Sequence, residues 1–165
     1  MQPSRSLHDP DAPDGLMVFD GVCNFCSGQV QLLLKIDRAG ALRFTAIQSP
    51  YGRHLAARHG LDPDDPTTFM FFDRGRPLQE SDAVLALYDR LPAPWRWLRL
   101  ARIVPRPLRD AAYRLLARNR YRLLGRRDTC MVPSLAERAR FVDAVPDSLQ
   151  GTLAGASAPS SNRPS

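Results

Sequence analysis

A pair of cysteines two residues apart, Cys23 and Cys26, within Phe19-Asp20-Gly21-Val22-Cys23-Asn24-Phe25-Cys26, constrains this chain more than any other feature. The apolar run Leu16-Met17-Val18-Phe19 before it reads as a buried strand, and Asp20-Gly21 reads as a turn. From Cys23 to Arg38 the pattern is helical, with Val30, Leu33, Leu34 and Asp37 on successive turns. The pair therefore falls at a strand-to-helix junction, on the first turn of a helix. Unsatisfied N–H groups and the positive end of the helix dipole gather there and favour a thiolate. The thiolate is the form that attacks a disulfide, and two intervening residues let the second sulfur close a small ring with the first.

Other uses of the pair fit less well. A structural zinc site needs two further ligands, and 27 residues separate Cys26 from His54, against roughly 12–15 in a zinc finger. An iron–sulfur cluster needs four cysteines, and the third and last here is Cys130. Covalent haem attachment needs His after the second cysteine, where Ser27 stands. Redox work without a metal is the expectation.

A chain of 165 residues is long enough for one domain with a real core. No apolar stretch approaches the roughly 20 residues of a membrane span. Met1 to Asp14 lacks the basic-then-apolar pattern of a signal peptide. The expected location is the cytoplasm, where such a dithiol is in turnover rather than a permanent staple.

The elements alternate along the chain. Strand Leu16–Phe19 and helix Cys23–Arg38, stopped by Gly40, are followed by strand Leu42–Ile47. Ser49 caps the next helix, Pro50 opens it, and Gly60 ends it after His59. Strand Thr67–Phe72, the turn Asp73–Arg76 and a short strand through Gln79 lead to a helix capped by Ser81 and running to about Arg90. This β-α-β-α-β-β-α order predicts an α/β, thioredoxin-like core over 15–92, with the dithiol at the C-terminal end of the first strand. Residues 1–14 read as a disordered tail. Residues 93–133 read as an arginine-rich helical appendage packed on the core, with Ala112, Leu115, Leu116, Asn119 and Leu123 at helical spacing. Residues 134–165 read as a short helix and a disordered tail.

Asp20-Gly21-Val22-Cys23-Asn24-Phe25-Cys26 resembles the DxxCxxC signature of the DCC family of thiol–disulfide oxidoreductases. Ser81-Asp82-Ala83-Val84, Val104–Asp110, and Ala117-Arg118-Asn119-Arg120-Tyr121 leading to Gly125-Arg126-Arg127 extend the resemblance over roughly residues 15–133. It implies a thioredoxin-like fold and dithiol chemistry but supplies no substrate; a protein or small-molecule disulfide or thiol is the expected partner. Asp65–Phe69 and Leu78–Leu85 are similar to a stretch of glutathione transferases. That similarity implies a cis-proline at Pro66 and a glutathione carboxylate held at Ser81 and Asp82, which would make glutathione a co-substrate. Ser81 as a plain N-cap explains the same serine, and both roles are compatible.

Cys23 is expected to attack, as the more exposed and more acidic thiol, and Cys26 to resolve. Asp20 either takes the proton from Cys26 or shapes the turn; its charge would raise a neighbouring thiol's pKa. Phe25 shields or packs, and Cys130 reads as a small buried hydrophobe.

Residues 95–127 hold eleven arginines against one acid, Asp110. They form a solvated face or attract an acidic protein or anionic membrane, with Trp95 and Trp97 assisting. No recognised nucleic-acid-binding pattern accompanies them. The leading expectation is a thiol–disulfide oxidoreductase. The competing one is a non-catalytic thioredoxin-like adaptor docking through these arginines.

Overall fold

Strands buried on both faces must be apolar throughout, and Leu16-Met17-Val18-Phe19 is such a run. In the computed structural model, which describes residue 9 and residues 11–145, it forms β1 (Leu16–Phe19) near the middle of a four-stranded sheet. The strand order is β2-β1-β3-β4, with β2 at Arg43–Ala46, β3 at Met70–Asp73 and β4 at Arg76–Gln79. β2 pairs parallel to β1, Leu16 beside Arg43, while β3 runs antiparallel to both β1 and β4. The thioredoxin-like core expected from the sequence is therefore present. Met17, Phe19, Phe44 and Phe71 point to one side of the sheet, against α1 (Asn24–Ile36) and α3 (Glu80–Asp89). Leu16, Val18, Met70 and Phe72 point to the other, against α2 (Pro50–His59). Each such fully buried side chain contributes roughly 1.5–3 kcal/mol.

α2 follows its sequence signals closely. Ser49 Oγ accepts from Gly52 N–H at 3.0 Å, Pro50 opens the helix, and Gly60 ends it at φ 75°, a left-handed turn that glycine adopts without strain. α1 begins one residue later than expected and stops at Ile36. Asp37 closes it, buried, its carboxylate accepting from Ala41 N–H, Leu42 N–H and Arg140.

Three expectations need correction. Residue 9 and residues 11–14, expected in a disordered tail, are held on α2 and the sheet. Asp9 pairs with His59 at 2.7 Å, Asp11 with Arg58 at 2.6 Å, and Ala12 enters the core. The rest of that tail, and 146–165, lie outside the described residues. Residues 138–145 precede the tail expected from about residue 146, and Val142 N–H donates to Phe44 C=O at 2.8 Å beside β2.

Ser81 is not an N-cap. Gln79 occupies that position without a side-chain bond, and Glu80 takes φ 55°. Ser81 N–H and Oγ instead donate to the Asp110 carboxylate. A carboxylate from another helix thus serves the α3 N-terminus, where the dipole favours it. The Asp65–Pro66 bond is trans, the cis bond among the described residues being Ala93–Pro94.

The appendage meets the core through a polar stripe. It comprises a 3-10 helix at Trp95–Ile103 and α4 at Arg106–Leu124. α4 packs on α3 and α1. Asp110 and Arg120 are buried, while Leu108, Leu115, Leu116, Leu123 and Leu124 are exposed. The inward stripe Asp110, Tyr113, Ala117, Arg120 wins because each polar member has a specific partner on the core: Ser81, Thr68 and Pro66 C=O. No helix among the described residues is long and apolar enough to cross a membrane.

The Ser81 hydroxyl lowers the Asp110 pKa below the usual carboxylate range. The contact's contribution is therefore full above that range and is lost as pH falls through the depressed value. Asp110→Ala should leave Ser81 without an acceptor at a cost of about 1–3 kcal/mol. Hydrogen exchange should show that loss concentrated in α4 and the first turn of α3; unchanged protection of α4 would contradict this docking.

Candidate active site

The β1–α1 junction places the cysteines. Asp20 N-terminal to the turn accepts from Val22 N–H at 3.1 Å, and Gly21 N–H donates to Gln48 Oε1 at 3.0 Å. A Cβ on Gly21 would stand 2.8 Å from Cys130 Sγ, so a larger residue here would push that sulfur aside. Cys23 is then the N-cap of α1, its Sγ accepting from Cys26 N–H at 3.3 Å.

The two sulfurs are made unlike by one hydrogen bond. The Cys26 thiol donates to Cys23, and with the Cys26 N–H and the nearby Arg120 charge it draws the Cys23 pKa down to about 6, against opposition from burial and Asp20. Cys26 is pushed far above the ordinary thiol range by that same bond, by burial and by the negative sulfur beside it. Both cysteines are free thiols. Cys23 is thus the more acidic of the two thiols.

Cys23 is 0% exposed and Cys26 8%, the reverse of the expected order. A strap following α4 covers Cys23. Arg127 N–H donates to Val22 C=O at 2.7 Å, Met131 N–H to Gly21 C=O at 2.9 Å, and Arg126 bridges to Cys23. Asn24 ties the strap down: its Nδ2 donates to Leu124 C=O at 2.8 Å and its Oδ1 accepts from Arg127 Nε at 2.6 Å.

Behind the dithiol lies Arg120, nearly fully buried. It donates to Pro66 C=O, donates to Tyr121 OH at 3.2 Å, and approaches Asp20 at 3.6 Å, and its Nε has no hydrogen-bond partner among the described residues. Tyr121 OH donates to Asp20 in turn, and Gln48 Nε2 donates to its other oxygen at 2.8 Å. Arg120 stands in the walls of two cavities. One, about 310 Å³, opens beside Cys26 between Phe25, Phe69, Val84 and Leu116. The other, about 410 Å³, lies at Pro66, Thr68 and Glu80.

Of the residues expected from sequence, Cys23, Cys26 and Asp20 come together, and Pro66 joins through its carbonyl. Ser81 and Asp82 do not join. Asp110 holds the place that a glutathione carboxylate would take at Ser81, and Asp82 pairs with Arg106 at 3.1 Å and Arg109 at 3.3 Å. Cys130 is half-buried against Gly21 and Gln48, with a thiol pKa raised chiefly by burial. Among the described residues no cluster of His, Cys, Asp and Glu could hold a metal ion. Arg120, Tyr121 and Gln48 were not singled out as site residues. Arg120 and Tyr121 stand in the Ala117–Tyr121 run that extends the family resemblance, and Arg120 also recurs with Asp110, Tyr113 and Ala117 at spacings of three and four; Gln48 carries no such signal.

The sequence profile of the DCC1-like thiol-disulfide oxidoreductases matches residues 17–126, a span that runs from β1 through the cysteines and Arg120 to the strap. The chain belongs to that family. An uncharacterised protein of Bacillus subtilis, YuxK, is 38% identical to it over 130 residues, covering 79% of this chain and 95% of that one. A chloroplastic DCC family protein of Arabidopsis thaliana is 37% identical over 116 residues, 70% of this chain and 67% of its own. No solved structure matches the chain. The family span includes α4 and ends at Arg126, inside the strap that covers Cys23.

Thiolate absorbance of the reduced protein should titrate with a midpoint of about 6 and vanish in Cys23→Ser. A folded-state pKa below the unfolded one also means that Cys23 stabilises the fold increasingly as pH rises above 6, an increment lost again on acidification through that value. Alkylation of Cys23 should nonetheless be slow, and Asn24→Ala, which unties the strap, should speed it about tenfold, equivalent to one or two lost hydrogen bonds. Equal alkylation rates in the two proteins would show that the strap does not guard the sulfur.

Proposed function

We propose that the protein exchanges its Cys23–Cys26 dithiol with a disulfide substrate, Cys23 attacking and Cys26 resolving. Membership of the DCC1-like family supports a thiol–disulfide redox role. The observation that carries the finer reading is the pair of donors on Cys26, its N–H and its thiol, both directed at the Cys23 sulfur. They stabilise one thiolate at neutral pH while the other sulfur keeps its proton.

The Cys23 thiolate attacks one sulfur of the substrate. The substrate S–S bond breaks, and the departing thiolate takes a proton from water. Forming the mixed disulfide removes the negative charge and the hydrogen-bond acceptor that had held the Cys26 proton. Cys26 then loses that proton and attacks Cys23 Sγ, releasing the second substrate thiol and leaving a Cys23–Cys26 disulfide. Two electrons have passed to the substrate, and a dithiol reductant returns them by the same steps reversed. Asp20 is a positioning residue: its oxygens already accept from Val22, Gln48 and Tyr121, and it holds Arg120 where the cation offsets the buried thiolate. Attack by Cys23 requires the strap at 125–127 to lift.

Cys26→Ser should accumulate a mixed disulfide on Cys23 when the reduced protein meets a small disulfide, identified by mass spectrometry. Cys23→Ser should lose disulfide reduction altogether. Wild-type turnover by Cys23→Ser would refute the mechanism.

A further inference from the structure

A helix that docks with its polar stripe leaves its leucines outside. α4 does this, and the Trp95–Ile103 helix beside it, which meets the core through Trp95 against Tyr88, adds further exposed apolar side chains. Trp97, Leu100 and Leu108 are exposed, as are Ile103 at 83%, Leu115 at 66% and Leu123 at 65%. The two elements meet where Leu98 and Leu116 share the wall of the cavity beside Cys26, so the apolar surface is continuous. A shallow groove continues it along α4 through Ala112, Leu115, Asn119 and Leu123. An exposed apolar area of this extent marks a contact surface.

Charge decides what covers it. The acid within this segment, Asp110, is buried against Ser81. Arg102, Arg106, Arg109 and Arg114 are paired with Asp89, Asp82 and Glu80 at the α3 boundary. Arg96, Arg99, Arg118 and Arg122 have no carboxylate partner among the described residues and flank the leucines. A second copy laid on this face would set these arginines against their equals. A neutral apolar partner would bury them unpaired, which is costly. An anionic lipid surface meets both needs: acyl chains take Leu, Ile and Trp to a shallow depth, and lipid phosphates take the guanidinium groups, whose stems lie along the apolar surface.

We propose that the outer face of the Trp95–Ile103 helix and α4 docks on an anionic membrane. The cavity beside Cys26 then opens at the edge of the membrane contact, through Leu98 and Leu116. The docking does not depend on turnover of the dithiol.

Vesicle co-sedimentation of the full-length protein tests this, with phosphatidylcholine vesicles and phosphatidylcholine–phosphatidylglycerol vesicles at low and high salt. Binding should require phosphatidylglycerol and weaken as salt shortens the Debye length below the roughly 8 Å of physiological strength. Trp97 fluorescence should shift to the blue on binding. Arg118→Gln with Arg122→Gln should lower partitioning roughly 25-fold, about fivefold for each arginine near the surface. Leu115→Gln with Leu123→Gln, at exposed positions that leave the core intact, should also lower it. Absence of binding to the anionic vesicles, or binding that both double variants retain, overturns the proposal. So does a dimer in sedimentation equilibrium that Leu115→Gln disperses, which would give the face to a second copy. Equal binding to polyglutamate, insensitive to the leucine changes, would assign it to an acidic protein and overturn it too.

Discussion

The near-contact of Arg120 with Asp20, both buried at the back of the cysteine turn, is the interaction on which the arrangement of this molecule depends. A cation out of water is costly unless it is compensated, and Arg120 donates to Pro66 C=O and Tyr121 OH and lies 3.6 Å from the Asp20 carboxylate. One side chain thereby ties together the first strand's exit, the loop before β3 and α4. Removing either charge would leave the other uncompensated, a loss of about 3–5 kcal/mol for buried pairs. Such a pair adds less to net stability than it does to uniqueness. It sets which face of α4 points inward.

That choice has two consequences. Inward, the stripe Asp110–Tyr113–Arg120 gives the dithiol a positive neighbour and gives α3 a carboxylate for its N-terminus. Outward, it commits five leucines of α4 to the surface. A leucine-in packing would bury more apolar area but leave Thr68, Ser81 and Asp20 facing a helix with nothing to offer them. Unmet buried polar groups cost more than a few exposed methyls recover.

The dithiol separates two properties that an exposed thiol would combine. Acidity belongs to Cys23, through the donors of Cys26. The little exposure there is belongs to Cys26, because the strap at 125–127 lies over Cys23. A thiolate held under a cover is protected from adventitious oxidation, and its reactivity is set by how readily the strap opens.

Local signals determined much of this protein from sequence. The buried run Leu16–Phe19, the Ser49-Pro50 start and Gly60 stop of α2, and the strand-to-helix placement of Cys23 and Cys26 each depend on residues within a turn or two of one another, and the structure keeps them. The β-α-β-α-β-β-α order and the α/β class followed from the same short-range periodicity. What the tertiary structure alone decided lies between residues far apart. Arg120 meets Pro66 and Asp20, Asp110 displaces Ser81 from its expected capping role, Asn24 fastens a strap about a hundred residues further on, and Asp9 and Asp11 find His59 and Arg58. Helical periodicity identifies an apolar face on α4 but carries no information about which face a neighbour will satisfy. That answer rests on unpaired polar groups on the core, and they acquire positions only when the chain has folded.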